Sequence, residues 1–299
     1  MGALLATLTA IAALCLSGAA LAQVPGETGG LLLPDLEQEQ PSGLVLTAHG
    51  KGGRAPRYYL GFRSAVRNVG LGPLVINGRR SDRKTPTMTA TQVVQRADGA
   101  ADTVPGVGRL RYVVSPGHRH WHLLGFDRYS LRRAGGGGTV RRDRKTGFCL
   151  GDRYRTRAAL AGPAPAMPTF TSNCGPRQPG RLSVSEGISV GYGDDYAANL
   201  EGQFLKVSGL PEGQYVLAHE VNASRLLRES SYDNNSASVL LALRWRGGKP
   251  DVRVLASCEH TAACTAPGTT ARSAAVPSAV PARARTLFCR LGASARRVG

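Results

Sequence analysis

Short apolar runs separated by turn-forming residues recur along most of this chain. They occupy residues 43–47, 58–68, 72–76, 87–95, 110–115, 121–131, 204–207, 214–221 and 238–245. Glycine and proline punctuate the runs, and several of them alternate apolar and polar positions, which is the period of a half-buried strand. No segment carries a sustained helical stripe with capping residues. The pattern therefore predicts a mainly β fold, an antiparallel β-sandwich with long loops.

Glycine-rich and proline-rich stretches predict the connections between these strands. Gly135 to Gly138 separates two extended segments, which predicts a hairpin that lays the strand carrying Lys145 beside a strand rich in histidine. Residues 153–187 are rich in Ala, Pro, Gly and Arg and are expected to form long surface loops. Beyond Gly247 the chain turns to Ala, Pro, Ser, Thr and Arg, which is typical of a mobile or weakly docked tail.

The chain is expected to divide into four segments. Residues 1–22 have the short apolar region and the small-residue site, Ala20-Leu21-Ala22, of a secretory signal peptide, and residues 23–30 form a loose leader. One domain is expected over residues 31–246, followed by a low-complexity basic tail over 247–299. We therefore expect a secreted or periplasmic protein, and no later apolar stretch is long enough to span a bilayer.

Cysteine usage agrees with export, because cysteines of exported proteins are disulfide candidates first. Cys149 and Cys174 both lie inside the expected domain and are the favoured bridge. Cys258 with Cys264 is a second candidate pair, which leaves Cys289 odd.

The formal net charge is +18, and arginine carries almost all of it. A charge of this size attracts acidic polymers or acidic surfaces in a salt-sensitive way, so we expect such a partner. No recognition helix, zinc-finger spacing or aromatic-rich binding strand accompanies the charge, so specific binding of nucleic acid is not expected.

Three of the six histidines, His118, His120 and His122, alternate within five residues. Residues two apart in a strand project from the same face at a spacing of about 6.6 Å. Three imidazoles on one face can converge on a single ion, and imidazole suits zinc, copper, nickel or iron. The alternative is a solvated polar face of a strand. Trp121 would point the opposite way, into the core, and the remaining histidines, expected to be structural, are His49, His219 and His260.

Several blocks, in order along the chain, resemble the lysyl oxidase family. They are Pro34-Asp35-Leu36, residues 62–70, His118 to Leu131, Lys145-Thr146-Gly147-Phe148-Cys149-Leu150, residues 187–207, residues 213–217 and residues 221–235. The resemblance covers about residues 31 to 246, which become the expected catalytic domain. Animal members of the family carry additional cysteines around the segments that match the histidine strand and the loop with Tyr196. This chain has Tyr192 and Gly202 in that neighbourhood.

The resemblance implies a copper-dependent amine oxidase that converts primary amines, either lysine side chains or small amines, to aldehydes with release of hydrogen peroxide and ammonia. His118, His120 and His122 would bind the copper. By motif position, Lys145 and Tyr196 would form the lysine tyrosylquinone cofactor: a phenol can be oxidised to an ortho-quinone, and a neutral lysine amine can then add to the ring. The product is an electrophile that ordinary side chains lack. Asp194 matches an aspartate of the motif and is the expected base.

Two other functions would use the same sequence differently. A non-catalytic secreted copper-binding β-sandwich would keep the histidine face and never form the quinone. A surface-binding module would use its basic loops to hold an acidic surface, with the metal bracing the fold. Lys145 and Tyr196 discriminate between these functions and an oxidase, because a metal-binding protein does not need both at these positions.

Overall fold

A computed structural model describes residues 30–50, 55–115, 118–136, 138–142, 147–200 and 202–266. The expected signal peptide, nearly all of the leader, Lys145 and Cys289 lie outside these ranges, and of His118 only the backbone is described. Regular structure in the described part of the chain consists of strands, all paired antiparallel. The mainly β, antiparallel fold class predicted from the sequence is confirmed.

The strands follow one another in this order: β1 Leu31–Leu32, β2 Leu36–Gln38, β3 Ser42–His49, β4 Arg57–Asn68, β5 Leu74–Arg79, β6 Thr87–Arg96, β7 Ala101–Ser115, β8 His118–Leu123, β9 Asp127–Arg133, β10 Thr139–Arg142, β11 Tyr154–Arg155, β12 Ser183–Ile188, β13 Tyr192–Tyr196, β14 Phe204–Lys206, β15 Gly213–Val221, β16 Ser236–Arg246 and β17 Lys249–Cys258.

These strands form three sheets. The first has the order β12-β5-β6-β7-β8, with β1 paired to β6. The second has the order β10-β9-β15-β16-β17. The third has the order β11-β13-β4-β14, with β2 and β3 paired to β4. The long strand β4 is therefore the centre of the third sheet, and different parts of it pair with four other strands.

One hydrophobic core joins the three sheets. Leu110 of the first sheet, Tyr129 and Leu217 of the second and Phe62 of the third are fully buried in the same cluster. The rings of Phe62 and Tyr129 meet edge to face with centroids 5.1 Å apart. Because alternate residues of a strand face opposite ways, each sheet contributes one apolar face to this core.

The apolar run at residues 121–131 forms two strands in different sheets, where the sequence pattern suggested one. The chain turns at Gly125, whose φ of 73° favours glycine, and this turn separates β8 from β9. The predicted hairpin does form, because Gly135 and Gly136 connect β9 to β10 with Thr139 opposite Arg132. Within the described residues β10 pairs with β9 and not with β8, and the predicted position of Lys145 beside the histidine strand lies outside the described residues.

The chain beyond Gly247 is ordered further than its composition suggested. Lys249–Cys258 forms β17, which pairs with β16 from Arg246↔Lys249 to Ser238↔Cys258. Val252 packs against the main core, and a disulfide joins Cys258 to Cys264. The expectation of a mobile tail is therefore wrong for this segment, because the turn at Gly247-Gly248 folds it back onto an open strand edge.

The stretch assigned to surface loops contains an important strand. Most of residues 153–187 is irregular, as expected, but Ser183–Ile188 forms β12 at the edge of the first sheet, with Glu186 opposite Ile76. The next strand in the sequence, β13, carries Asp194 and Tyr196. It belongs to the third sheet, where it pairs with β4 and places Tyr196 opposite Ser64.

Candidate active site

The histidine strand β8 is the outermost strand of the first sheet and pairs with β7. The rings of His120 and His122 lie side by side, with centroids 4.7 Å apart and planes inclined by 45°. His122 is buried and His120 is half-buried. On the opposite face Trp121 is fully buried in the core, as the sequence predicted. His118 continues the alternation along the backbone and lies opposite Ser115.

Residues 147–150 lie directly against this strand. Phe148 exchanges two backbone hydrogen bonds with Leu123, of 2.8 and 3.0 Å. The close approach requires Gly147, which has a φ of 135°, because a Cβ there would collide with the carbonyl oxygen of Leu123. The segment that follows Lys145 in the sequence is thereby fixed next to the last histidine, His122.

Tyr196 lies on the other side of the same segment. Its hydroxyl group accepts a hydrogen bond from the amide of Cys149 at 2.8 Å and donates one to the carbonyl oxygen of Cys149 at 3.0 Å. Its ring meets Phe148 edge to face at 4.8 Å. Burial raises the pKa of Tyr196 well above 10, and the negative charge of Asp194 raises it further. In this environment the side chain is a neutral phenol.

A disulfide holds the segment in place. Cys149 is bonded to Cys174, with their Cα atoms 5.7 Å apart, which confirms the favoured pairing. The carbonyl oxygen of Cys174 accepts a hydrogen bond from the amide of Trp121 at 3.0 Å. The disulfide therefore links Cys149, which binds the hydroxyl group of Tyr196, to Cys174, which is hydrogen-bonded to the histidine strand.

Asp194 and Asp195, adjacent in sequence, lie in different environments. Asp194 shares a face of β13 with Tyr196, is 4% exposed and lies 3.6 Å from the Nε of Arg153. Asp195 points the other way and pairs with Arg63 at 2.9 Å near the surface. Of the two carboxylates, only Asp194 faces the interior beside Tyr196.

Sequence reasoning missed a second buried acid, Glu186. It is 1% exposed, and one of its carboxylate oxygens lies within 4.8 Å of the sulfur atoms of Cys149 and Cys174. Burial raises the pKa of Glu186 well above 4.5, the charge of Asp194 raises it further, and the amides of Leu150 and Leu123 partly oppose this. An inward-facing series of Val184, Glu186 and Ile188 was the available signal, since a carboxylate in an apolar series is unusual.

The two buried carboxyl groups have different surroundings. Asp194 has a cationic partner in Arg153, whereas Glu186 is surrounded by buried groups and by the like charge of Asp194. Burial therefore favours the protonated form of Glu186. Arg153 was also missed; its other guanidinium nitrogens contact Asn173 Oδ1 at 2.6 Å and the sulfur of Cys149 at 3.7 Å.

The histidine face suits a copper ion by the chemistry of its donors. Two neutral imidazoles with ring centroids 4.7 Å apart can each direct a nitrogen to one ion at about 2 Å. Elsewhere among the described residues, Cys149, Cys174 and Glu186 bring three potential ligand atoms within 4.8 Å of one another. The two cysteines of this group are joined in a disulfide, so it offers no thiolate to a metal.

Comparison with known proteins decides the family. The sequence profile described as Lysyl oxidase matches residues 80–249, more than half of the chain and including both the histidine strand and Tyr196. The chain belongs to the lysyl oxidase family. Protein-lysine 6-oxidase of Rattus norvegicus is 28% identical over 143 residues, which are 46% of this chain and 30% of the rat protein. The protein of the same name from Homo sapiens is 27% identical over 143 residues, which are 46% of this chain and 29% of the human protein.

A further relative is lysyl oxidase homolog 1 of Homo sapiens, 28% identical over 138 residues, which are 46% of this chain and 21% of that protein. The chain thus matches less than a third of the length of these curated relatives.

No helix among the described residues is long and apolar enough to cross a membrane.

Proposed function

We propose that this lysyl oxidase family member is a secreted or periplasmic copper-dependent amine oxidase. It would convert primary amines, either lysine side chains or small amines, to aldehydes with release of hydrogen peroxide and ammonia. His118, His120 and His122 would hold the copper. Lys145 and Tyr196 would form the lysine tyrosylquinone.

The observation that carries this proposal is the position of residues 147–150. Phe148 pairs with Leu123 beside the histidines, and Cys149 binds the hydroxyl group of Tyr196. Lys145 precedes Cys149 by four residues, and a fully extended chain of that length spans at most about 14 Å. Chain connectivity alone therefore keeps Lys145 within that distance of Cys149, and a crosslink between Lys145 and Tyr196 requires such a limit.

When bound, copper and the quinone would supply the redox chemistry and the electrophilic carbon. The chain supplies the rest. Phe148 packs against the ring of Tyr196, and the main chain of Cys149 orients its hydroxyl group. Asp194 is the candidate acceptor for the proton removed from the substrate amine's α-carbon, and Arg153 favours its ionised form. Tyr196 and Asp194 are both buried, which limits the access of water to them.

The decisive experiment is mass spectrometry of the copper-loaded, aerobically incubated protein. We expect a peptide in which the segments containing Lys145 and Tyr196 are covalently joined, together with peroxide release from a primary amine. Tyr196→Phe should retain copper and lose both. Tyr192→Phe is the matched control, because Tyr192 is a buried tyrosine of the same strand whose hydroxyl contacts loop carbonyl oxygens at 3.2 and 3.4 Å.

Lys145→Arg should also lose the crosslink and the activity, because a guanidinium stays protonated and is a poor nucleophile. If Tyr196→Phe and Lys145→Arg oxidised amines as fast as the parent, the proposed quinone mechanism would be wrong. Stoichiometric copper binding without a crosslink and without peroxide would instead favour the non-catalytic copper-binding β-sandwich.

A further inference from the structure

A groove of about 700 Å³ separates the outer strand of the second sheet, β10, from the outer strand of the third, β14. Four cationic and two aromatic side chains line most of it: Arg57, Arg141, Arg142, Lys206, Tyr59 and Phe204. The proposed oxidation uses none of them.

The strand register explains why these side chains meet. Lys206 lies directly opposite Tyr59, and Phe204 lies opposite Gly61, so the four positions share one face of the β4–β14 pair. The rings of Tyr59 and Phe204 meet edge to face at 5.4 Å, and Phe204 is 40% exposed. A large aromatic surface thus stays open to solvent in the middle of a cationic rim.

The cationic rim has no acidic counterpart in the described part of the chain. None of the ion pairs found there involves Arg57, Arg142 or Lys206. Arg141 is held across the groove by carbonyl oxygens, since its guanidinium donates to Lys206 at 2.9 Å and Ser208 at 3.4 Å. A guanidinium has five N–H groups, and three of them are used here, including a bond to the carbonyl oxygen of Val140. Its other two N–H groups have no hydrogen-bond partner among the residues that the structure describes.

The two strand edges identify the class of ligand. Because β10 and β14 are each the last strand of a sheet, each has an outer edge to which no strand formed by the described residues is paired. Such edges bind an extended polypeptide through main-chain hydrogen bonds, while alternate side chains of the ligand reach pockets on one face. A polysaccharide or a nucleic acid has no amide backbone with which to extend a sheet.

We propose that this groove is a docking site for an extended acidic segment of a polypeptide. Carboxylates of the segment pair with Arg57, Arg142 and Lys206, and its apolar atoms cover Phe204. The docking site does not depend on the oxidation chemistry, and the protein without copper binds the segment equally well.

Fluorescence anisotropy of a short labelled peptide in which glutamate and threonine alternate tests this proposal, with the full chain at low ionic strength. We expect the triple variant Arg57→Gln, Arg142→Gln, Lys206→Gln to bind roughly tenfold more weakly than the parent. The control variant Arg83→Gln, Arg228→Gln, Lys84→Gln changes the same residue types at exposed sites away from the groove. It should bind within about twofold of the parent. Melting curves confirm that each variant is folded, and the single variants Arg57→Gln and Lys206→Gln should each weaken binding by about two- to threefold.

Equal losses in the two triple variants would overturn the proposal, since the attraction would then come from the net charge alone. Equal affinity for a peptide with glutamine in place of glutamate would also overturn it. The proposal would also be overturned if the groove variant bound a sulfated polysaccharide or single-stranded DNA more weakly than the parent does but bound the acidic peptide equally well. Peptide binding that survives in a chain lacking amine oxidation would leave the docking site standing and remove only the proposed oxidase.

Discussion

The hydroxyl group of Tyr196 is bound by both polar atoms of the Cys149 main chain, at 2.8 and 3.0 Å. The partner is backbone, so no rotamer change of a neighbouring side chain can release the hydroxyl. The contact therefore fixes the orientation of the phenol relative to the main chain of residues 147–150. This arrangement precedes any cofactor chemistry and is present in the protein as folded.

His120→Ala and His122→Ala should each abolish stoichiometric copper loading while the protein stays folded, because both imidazoles face the same site. Copper affinity of the parent should also fall as the pH drops through about 6.5, where protons compete for imidazole nitrogen. Metal analysis after dialysis measures both effects. His260→Ala is the control, because His260 is exposed and contacts Glu37 at 2.9 Å. Copper retained at one equivalent in the double variant would contradict the assignment.

Gly147→Ala should destabilise the protein by roughly 2 kcal/mol or more, because the added Cβ meets the main chain of Leu123 and the residue has a positive φ. Gly138→Ala adds the same methyl group in open space at an ordinary φ and should change the unfolding free energy by less than about 0.5 kcal/mol. Urea denaturation compares the two. Equal stabilities would mean that the segment and β8 do not approach as closely as described.

The two disulfides should contribute unequally to stability. The Cys149–Cys174 bridge has a sequence separation of 25, and loop-entropy reasoning assigns it about 3.5 kcal/mol. The Cys258–Cys264 bridge, with a separation of 6, should contribute about 2 kcal/mol. Replacing each pair by alanine and measuring the unfolding free energy tests the order. The order should reverse only if the short loop holds β17 in place more strongly than chain entropy suggests.

Glu229 gives the stability a specific pH dependence. Burial raises the pKa of Glu229 to about 7, although Asn222, Asn235 and the amide of Leu36 all donate hydrogen bonds to it. Its pKa in the folded state lies above the ordinary value of 4.5, so the native state holds a proton that the unfolded chain releases. The stabilisation from this group is complete below pH 4.5 and is lost as the pH rises through 7, by about 3 kcal/mol in total.

Glu229→Gln removes this titration, so the stability difference between parent and variant should shrink or reverse between pH 5 and pH 8. Urea denaturation at several pH values measures it. A difference that stays constant over this range would contradict the raised pKa.

A chain ending at Gly248 should be less stable than one ending at Ala266, by at least about 2 kcal/mol, because it loses β17 and the burial of Val252. The exposed edge of β16 should also promote aggregation. Thermal melting and light scattering compare the two truncated chains. Equal melting temperatures would show that β17 contributes little to the fold.

Much of the fold could be predicted from the sequence because strands with one buried face alternate visibly, as in β5 and β6. The sequence pattern did not predict β13, because Tyr192, Gly193, Asp194 and Asp195 show no alternation of apolar and polar residues. The pairing with β4 determines the position of this strand. β12 escaped because its inward series contains Glu186. The strand β17 contains Lys249, Pro250, Asp251 and Arg253, which suit an edge strand exposed to solvent and resemble the composition of a loop.

The candidate site was predictable where its residues are neighbours in the sequence and not where distant segments meet. Alternation alone predicts that His120 and His122 share a face. The contacts of Tyr196 with Cys149 and of Asp194 with Arg153 depend on how three sheets come together, which no local pattern encodes. Motif resemblance supplied Tyr196 and Asp194, and the structure adds that Asp194 is buried whereas Asp195 pairs with Arg63 near the surface.

All three proposed copper ligands lie within one six-residue strand, so the distance between them does not depend on the tertiary fold. An unfolded chain that extends locally presents nearly the same set of imidazoles. Ligand binding stabilises a protein only to the extent that the native state binds more tightly than the unfolded one. If the histidines bind copper as proposed, the metal should therefore raise the melting temperature by much less than its affinity would suggest, and a copper ion could be captured before the tyrosine has reached its place.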